Sequence, residues 1–146
     1  MTRLALEMAE RLREKGLEVD VGLVEAGALL HDIGRGSTHE VDHAAVGGRM
    51  VRRLGLPEAV ARIVDRHVGG GIPRAEARRL GLPEGVYVPE TLEEKLVAYA
   101  DKLTDRGVEV VFGVTLGQYV AEHGEGSSVV ARMRGLHEEM VGLLGR

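Results

Sequence analysis

His31 and Asp32 stand side by side at the end of the most apolar segment of the chain, Ala28-Leu29-Leu30-His31-Asp32-Ile33-Gly34. An ionised carboxylate in such a place loses hydration unless it is paired or holds a cation. The dipeptide alone also fits an ordinary helix cap. His43 follows eleven residues after Asp32, and His67 and Asp101 stand further on, each where helical periodicity puts a core-facing or half-buried side chain. One such histidine is usually a satisfied core residue. Groups of this kind on four helices also fit a metal site, which bundles build from inward side chains on facing helices. The chain has six histidines and no cysteine, so the ligands on offer are imidazole and carboxylate. That set suits Fe, Mn, Co, Ni or Zn, and its carboxylate share admits Mg. On spacing alone, a metal site and a set of capped or paired residues both stay open.

The elements that must position these groups read as helices. Leu4, Ala5, Met8, Ala9 and Leu12 recur on one face opposite Glu7, Glu10, Arg11 and Glu14, and Gly16 stops that helix. Asp20 caps a second, from Val21 to about Leu30, which is apolar on most sides and therefore central. A polar connection from Gly34 to Glu40 leads to a third helix, capped by Asp42 and ending at Leu54. Pro57 opens a fourth to about Val68, broken by Gly69-Gly70-Gly71, and a short helix spans Pro73 to Leu80. Thr91-Leu92-Glu93-Glu94 has capping-box spacing and opens a helix with Leu92, Leu96, Ala100 and Leu103 on one stripe. Val108 to Val114 is β-branched enough for a strand but has no evident partner, so it reads as a loop into a helix near Leu116. A last helix runs from Ser127 or Ser128 to Leu144. The expectation is one all-α domain over residues 1–146.

His31-Asp32-Ile33-Gly34-Arg35, with Asp101 downstream in an Ala-Asp-Lys-Leu context, resembles the HD-domain metal-dependent phosphohydrolase superfamily, in its HDIG branch. Thr38 to His43, the Arg66-His67 pair and Pro89 to Lys95 look most like small stand-alone, largely uncharacterised HDIG proteins. The resemblance covers residues 1–105. It implies a compact bundle of about six to eight helices with the metal site between them, and leaves 106–146 as a helical extension packed on that core. His31, Asp32 and Asp101 match three ligands of one metal. His43 and His67 match the histidines of a second ion bridged by Asp32, with His39 in reserve because it lies in a loop. The implied activity is hydrolysis of a nucleotide or small phosphate ester through metal-activated water. One or two divalent ions (Mn, Fe, Co, Ni, Zn or Mg) would serve as cofactor. Asp32 would act at the reacting centre, with Arg35 and Lys102, and less directly Arg66, meeting phosphate charge. For Arg35 a solvated loop arginine is the plain alternative, and Lys102 could equally face solvent.

One departure stands out. The family's first histidine ligand belongs to a pattern whose later part matches Ala5, Met8 and Ala9, which sets it about four residues before Met1. A start upstream of this chain, or a site lacking that ligand, would each account for it. A degenerate domain that binds a nucleotide or a protein without catalysis is the competing function. His123 and His137 lie outside the resemblance and read as ordinary half-buried or surface residues.

Composition narrows the partners. Nineteen Lys and Arg oppose twenty-three Asp and Glu, for a net charge of −4, so no global basic field invites long nucleic acid or an anionic membrane. One Phe, three Tyr and no Trp leave few platforms for stacking bases. No stretch approaches the roughly 20 apolar residues of a membrane span. The reading is a cytoplasmic protein, alone or as a homodimer.

Overall fold

The computed structural model describes residues 1–145. Its helices are α1 (Thr2–Glu14), α2 (Val21–Leu30), α3 (His43–Arg53), α4 (Glu58–Asp65), α5 (Arg74–Arg79), α6 (Leu92–Lys102), α7 (Phe112–His123) and α8 (Ser128–Leu144). A 3₁₀ turn, Ile33–Gly36, follows α2, and β1 (Thr104–Asp105) and β2 (Val108–Glu109) make a minimal antiparallel hairpin. The all-α expectation holds, with the hairpin and an isolated antiparallel bridge between Ile72 and Tyr87 as its β additions among the described residues.

α6 is the axis of the fold. Leu96, Val97, Ala98, Tyr99 and Ala100 are all buried, so this helix is covered on nearly every side. α1 packs on it through Leu4, Ala5, Met8, Ala9 and Leu12, and α8 through Met133, Leu136, Met140 and Leu144. Three of the caps named by sequence form, whereas Asp42 precedes α3 without capping it: its carboxylate bonds no helix amide and instead accepts from the Thr38 hydroxyl at 3.0 Å. The Asp20 carboxylate accepts from the Leu23 amide (3.0 Å), and Thr91 and Glu94 complete a capping box. Ser127 accepts from the Val130 amide at 3.4 Å.

Two boundaries differ from the expected ones. α4 ends at Asp65 rather than near Val68, because the Val64 carbonyl, an orphan acceptor of the last turn, is taken by the His67 imidazole. α7 begins at Phe112 rather than near Leu116. Phe112 is buried beside Tyr99 and stacks on His137 with ring centroids 4.1 Å apart, so tertiary packing recruits the β-branched run into a helix start. The hairpin before it turns on Arg106-Gly107, both at positive φ, as a two-residue primed turn requires. No helix among the described residues is long and apolar enough to cross a membrane.

Candidate metal centre

Three histidines converge on one carboxylate. His31 and His67 each stand just beyond the last turn of a helix, α2 and α4, where backbone carbonyls lack intrahelical partners. His31 Nδ1 donates to the Ala28 carbonyl (2.7 Å) and His67 Nδ1 to the Val64 carbonyl (2.7 Å). His43, the first residue of α3, does the same to Glu40 (2.9 Å). A carbonyl oxygen only accepts, so each Nδ1 carries a ring proton and each Nε2 is turned into the site, where a neutral ring offers a lone pair and a charged one a second N–H. Orientation of ring nitrogens by backbone carbonyls is the usual outer support of metal-binding imidazoles.

All three Nε2 atoms face Asp32. His43 and His67 lie 3.4 and 3.3 Å from its Oδ1, and His31 lies 3.2 Å from its Oδ2. His31 Nε2 is also 3.3 Å from Asp101 Oδ1, brought in by α6. Two clusters result, Asp32–His43–His67 and His31–Asp32–Asp101, each able to hold a metal ion and sharing Asp32. The donor set fits a divalent cation. The Nε2 atoms of His43 and His67 are 3.1 Å apart and both rings are buried. Two lone pairs at that distance repel unless a cation or proton stands between them, and burial holds the His67 imidazole below its ordinary pKa, favouring its neutral form.

The carboxylates state the same demand. Burial works against ionisation of both Asp32 and Asp101. The imidazoles of His31, His43 and His67 nonetheless hold Asp32 far below the usual range, and Lys102 with His31 does the same for Asp101. Burial also opposes charge on His31, yet Asp101 and Asp32 push it up to about 10. At neutral pH the protonated His31 therefore occupies the role a metal would take.

The remaining sequence candidates fall in different places. Arg35 is half-exposed at the rim, its Nε 3.9 Å from Asp32 Oδ1 and its Nη1 donating to the His39 carbonyl at 2.8 Å. Lys102 is buried, donating to Asp101 Oδ2 (2.6 Å) and to the His67 carbonyl (3.1 Å), so it braces one ligand of each cluster. His39 is exposed and belongs to neither cluster. His137 stacks in the α7–α8 contact and accepts from or donates to the Tyr99 hydroxyl at 2.8 Å. His123 stacks on Tyr119.

Arg66, a weaker candidate for meeting substrate, is engaged elsewhere. Its Nη1 donates to Glu94 at 2.8 Å, and only 11% of its side chain is exposed. Glu94 is itself buried and also accepts from the Glu90 and Thr91 amides. This knot ties the chain beside His67 to the start of α6, the helix that carries Asp101. Glu94→Ala removes the capping box and leaves the Arg66 guanidinium only the Val86 carbonyl at 3.3 Å and the Glu90 carboxylate at 3.8 Å, and should cost about 3 kcal/mol in urea unfolding. The ordinary Glu94 value is 4.5; burial raises it, but the Glu90 amide and Arg66 prevail and lower it. Its stabilisation is therefore present above that value and lost as the pH falls through the lower, folded one. A wild-type unfolding profile that keeps this acid limb in Glu94→Ala would contradict the assignment.

Sequence reasoning missed Tyr119 and Val68. Both line the cavity of about 80 Å³ at the centre, with Asp32, Arg35, His43, His67, Asp101 and Lys102. The available signal is the face Phe112, Thr115, Tyr119 at helical spacing, hidden because a helix starting near Leu116 leaves out its first two members.

A family model described as HD domain matches residues 1–105. An uncharacterised protein of Methanocaldococcus jannaschii is 42% identical over 99% of this chain and 85% of its own length. A tRNA (cytidine(56)-2'-O)-methyltransferase of Picrophilus torridus is 40% identical over 99% of this chain, which spans 40% of that protein. A ribonuclease Y of Acidothermus cellulolyticus is 36% identical over 70% of this chain and 23% of its own length. No solved structure matches.

Proposed function

The chain belongs to the HD-domain family, and on that premise we propose that it is a metal-dependent phosphohydrolase acting on a nucleotide or small phosphate ester. One observation carries the reading: three imidazoles, each with its Nδ1 proton committed to a backbone carbonyl, aim their Nε2 atoms at Asp32. His31, Asp32 and Asp101 would hold one ion, and Asp32, His43 and His67 a second. When bound, such an ion supplies a lowered pKa for water and polarisation of a phosphoryl oxygen.

The chain's own residues do the rest. Asp32 joins the two clusters and fixes their separation. Lys102 holds Asp101 in place, and the carbonyls of Ala28, Glu40 and Val64 hold the rings. Arg35, half-exposed at the rim, has donors free to meet a phosphate oxygen as a planar fork. A cavity of about 80 Å³ suits a phosphoryl group and leaves the remainder of the substrate at the mouth. The name of the ribonuclease relative favours a phosphodiester among the esters to be tried.

Protein loaded with Mn, Fe, Co, Ni, Zn or Mg should hydrolyse an aryl phosphate, an aryl phosphodiester or a member of a nucleotide panel. Chelation should abolish that hydrolysis. Metal-loaded protein that hydrolyses none of them while binding a nucleotide would instead favour the non-catalytic binding module.

A further inference from the structure

We propose that Tyr119 is a substrate-binding residue of this centre, its phenolic hydroxyl donating a hydrogen bond to a non-bridging oxygen of the bound phosphate. The inference rests on the phosphohydrolase reading and adds a residue from outside the stretch that matches the family model, which ends at residue 105.

Tyr119 reaches the cavity because of how α7 is anchored. Phe112 and Thr115 are buried on the inward face of that helix, and Tyr119 follows one turn after Thr115 on the same face. Its ring is half-buried and lines the cavity together with Asp32, Asp101 and Lys102. On its outer side the ring stacks against His123, 5.8 Å between centroids, which limits its rotation away from the cavity.

The hydroxyls of the other two tyrosines are engaged. Tyr87 donates to the Pro83 carbonyl at 2.8 Å, and Tyr99 pairs with His137 at 2.8 Å. The Tyr119 hydroxyl makes no hydrogen bond to any described residue, and its side chain shares the cavity wall with Lys102.

The cavity needs such a donor. Asp32 and Asp101 repel an entering phosphate, and the Lys102 ammonium is already committed to Asp101 and the His67 carbonyl. Arg35 is the charged donor at the rim. A phenol in the same wall adds an uncharged, directional donor beside that guanidinium.

The test compares wild type, Tyr119→Phe and Tyr119→Ala, each first assayed for bound metal and then titrated with inorganic phosphate by calorimetry. Tyr119→Phe should keep its metal and melting temperature while binding phosphate at least about tenfold more weakly, the effect of one hydrogen bond to a charged group. In hydrolysis of an aryl phosphate, its KM should rise by a similar factor with kcat within about twofold. The chain has three tyrosines and no tryptophan, so a near-ultraviolet difference spectrum on adding phosphate should appear in wild type and vanish in Tyr119→Phe. Phosphate binding equal to wild type in metal-replete Tyr119→Phe overturns the inference and leaves the phosphohydrolase reading intact. Loss of metal in Tyr119→Phe also overturns it, by assigning Tyr119 to packing. Wild type that holds metal but neither binds phosphate nor hydrolyses esters overturns both.

Discussion

Asp32→Ala should leave the chain folded and strip its metal centre. Asp32 is the member common to both clusters, and its two oxygens divide the work: Oδ1 faces His43 and His67, and Oδ2 faces His31. Nearly half of its side chain is exposed, at 48%, so truncation opens no core cavity. The metal-free melting temperature should therefore move by no more than about 4 °C, roughly 1 kcal/mol for a domain of this size. Metal content after purification should fall at least tenfold, since removing a ligand exceeds the roughly 10- to 100-fold loss seen for outer-shell partners. Hydrolysis should fall by about a thousandfold or more, the scale of losing an electrostatic centre aimed at developing charge. Asp32→Asn, which keeps the shape and removes the charge, should behave the same way. Wild-type metal content in either variant would remove Asp32 from the site.

The second large effect lies in the backbone. A Cβ on Gly34 would sit 1.9 Å from the His43 carbonyl oxygen and 2.8 Å from the Gly47 amide nitrogen, both main-chain atoms of α3. Neither can swing aside, and Gly47 is itself tight against Val64 of α4, with 2.8 Å between its own added Cβ and Val64 Cγ1. Gly34→Ala must push α3 away from the turn that follows His31-Asp32. We expect a cost of roughly 3 kcal/mol, at the upper end for overpacking, read as a fall of about 8 °C or more in melting temperature. Because α3 carries His43, the same shift should loosen the Asp32–His43–His67 cluster and weaken metal binding there. Gly36→Ala is the control, two residues away with nothing within 4 Å of its added Cβ. Equal effects at Gly34 and Gly36 would contradict this account of the close approach.

The part of this architecture legible in the sequence is the part written in local patterns. Asp20, Thr91 with Glu94, and Ser127 mark helix starts because their side chains bond amides three residues on, a short-range rule. His31, Asp32, His43, His67 and Asp101 could be singled out by type and spacing, and the fold brings all five together. What sequence left open was direction. Lys102 was equally compatible with solvent or the centre, and packing of α6 against the chain around His67 decides for burial. Arg66 carried a charge suited to phosphate, but its partner Glu94 lies twenty-eight residues away, beyond any helical spacing. Tyr119 enters the wall only because Phe112 finds Tyr99 and His137, contacts that no local pattern encodes. The tight approach at Gly34 belongs to the same class, since a glycine in a polar connection reads first as a flexible turn.

Titration of metal-free wild-type protein with Mn²⁺ asks whether this constellation of imidazoles and carboxylates binds a divalent cation. Asp101 and Asp32 outweigh burial and hold His31 up to about 10, so an ion entering at neutral pH must displace that proton. Calorimetry in buffers of different ionisation enthalpy should therefore detect proton release. Below that pKa, affinity should rise about tenfold per pH unit, or about a hundredfold between pH 6 and 8, for one displaced proton. Saturable binding of one or two ions with that pH dependence is the predicted result. An absence of binding to wild-type protein across that range, or equal binding to Asp32→Ala, would contradict the account.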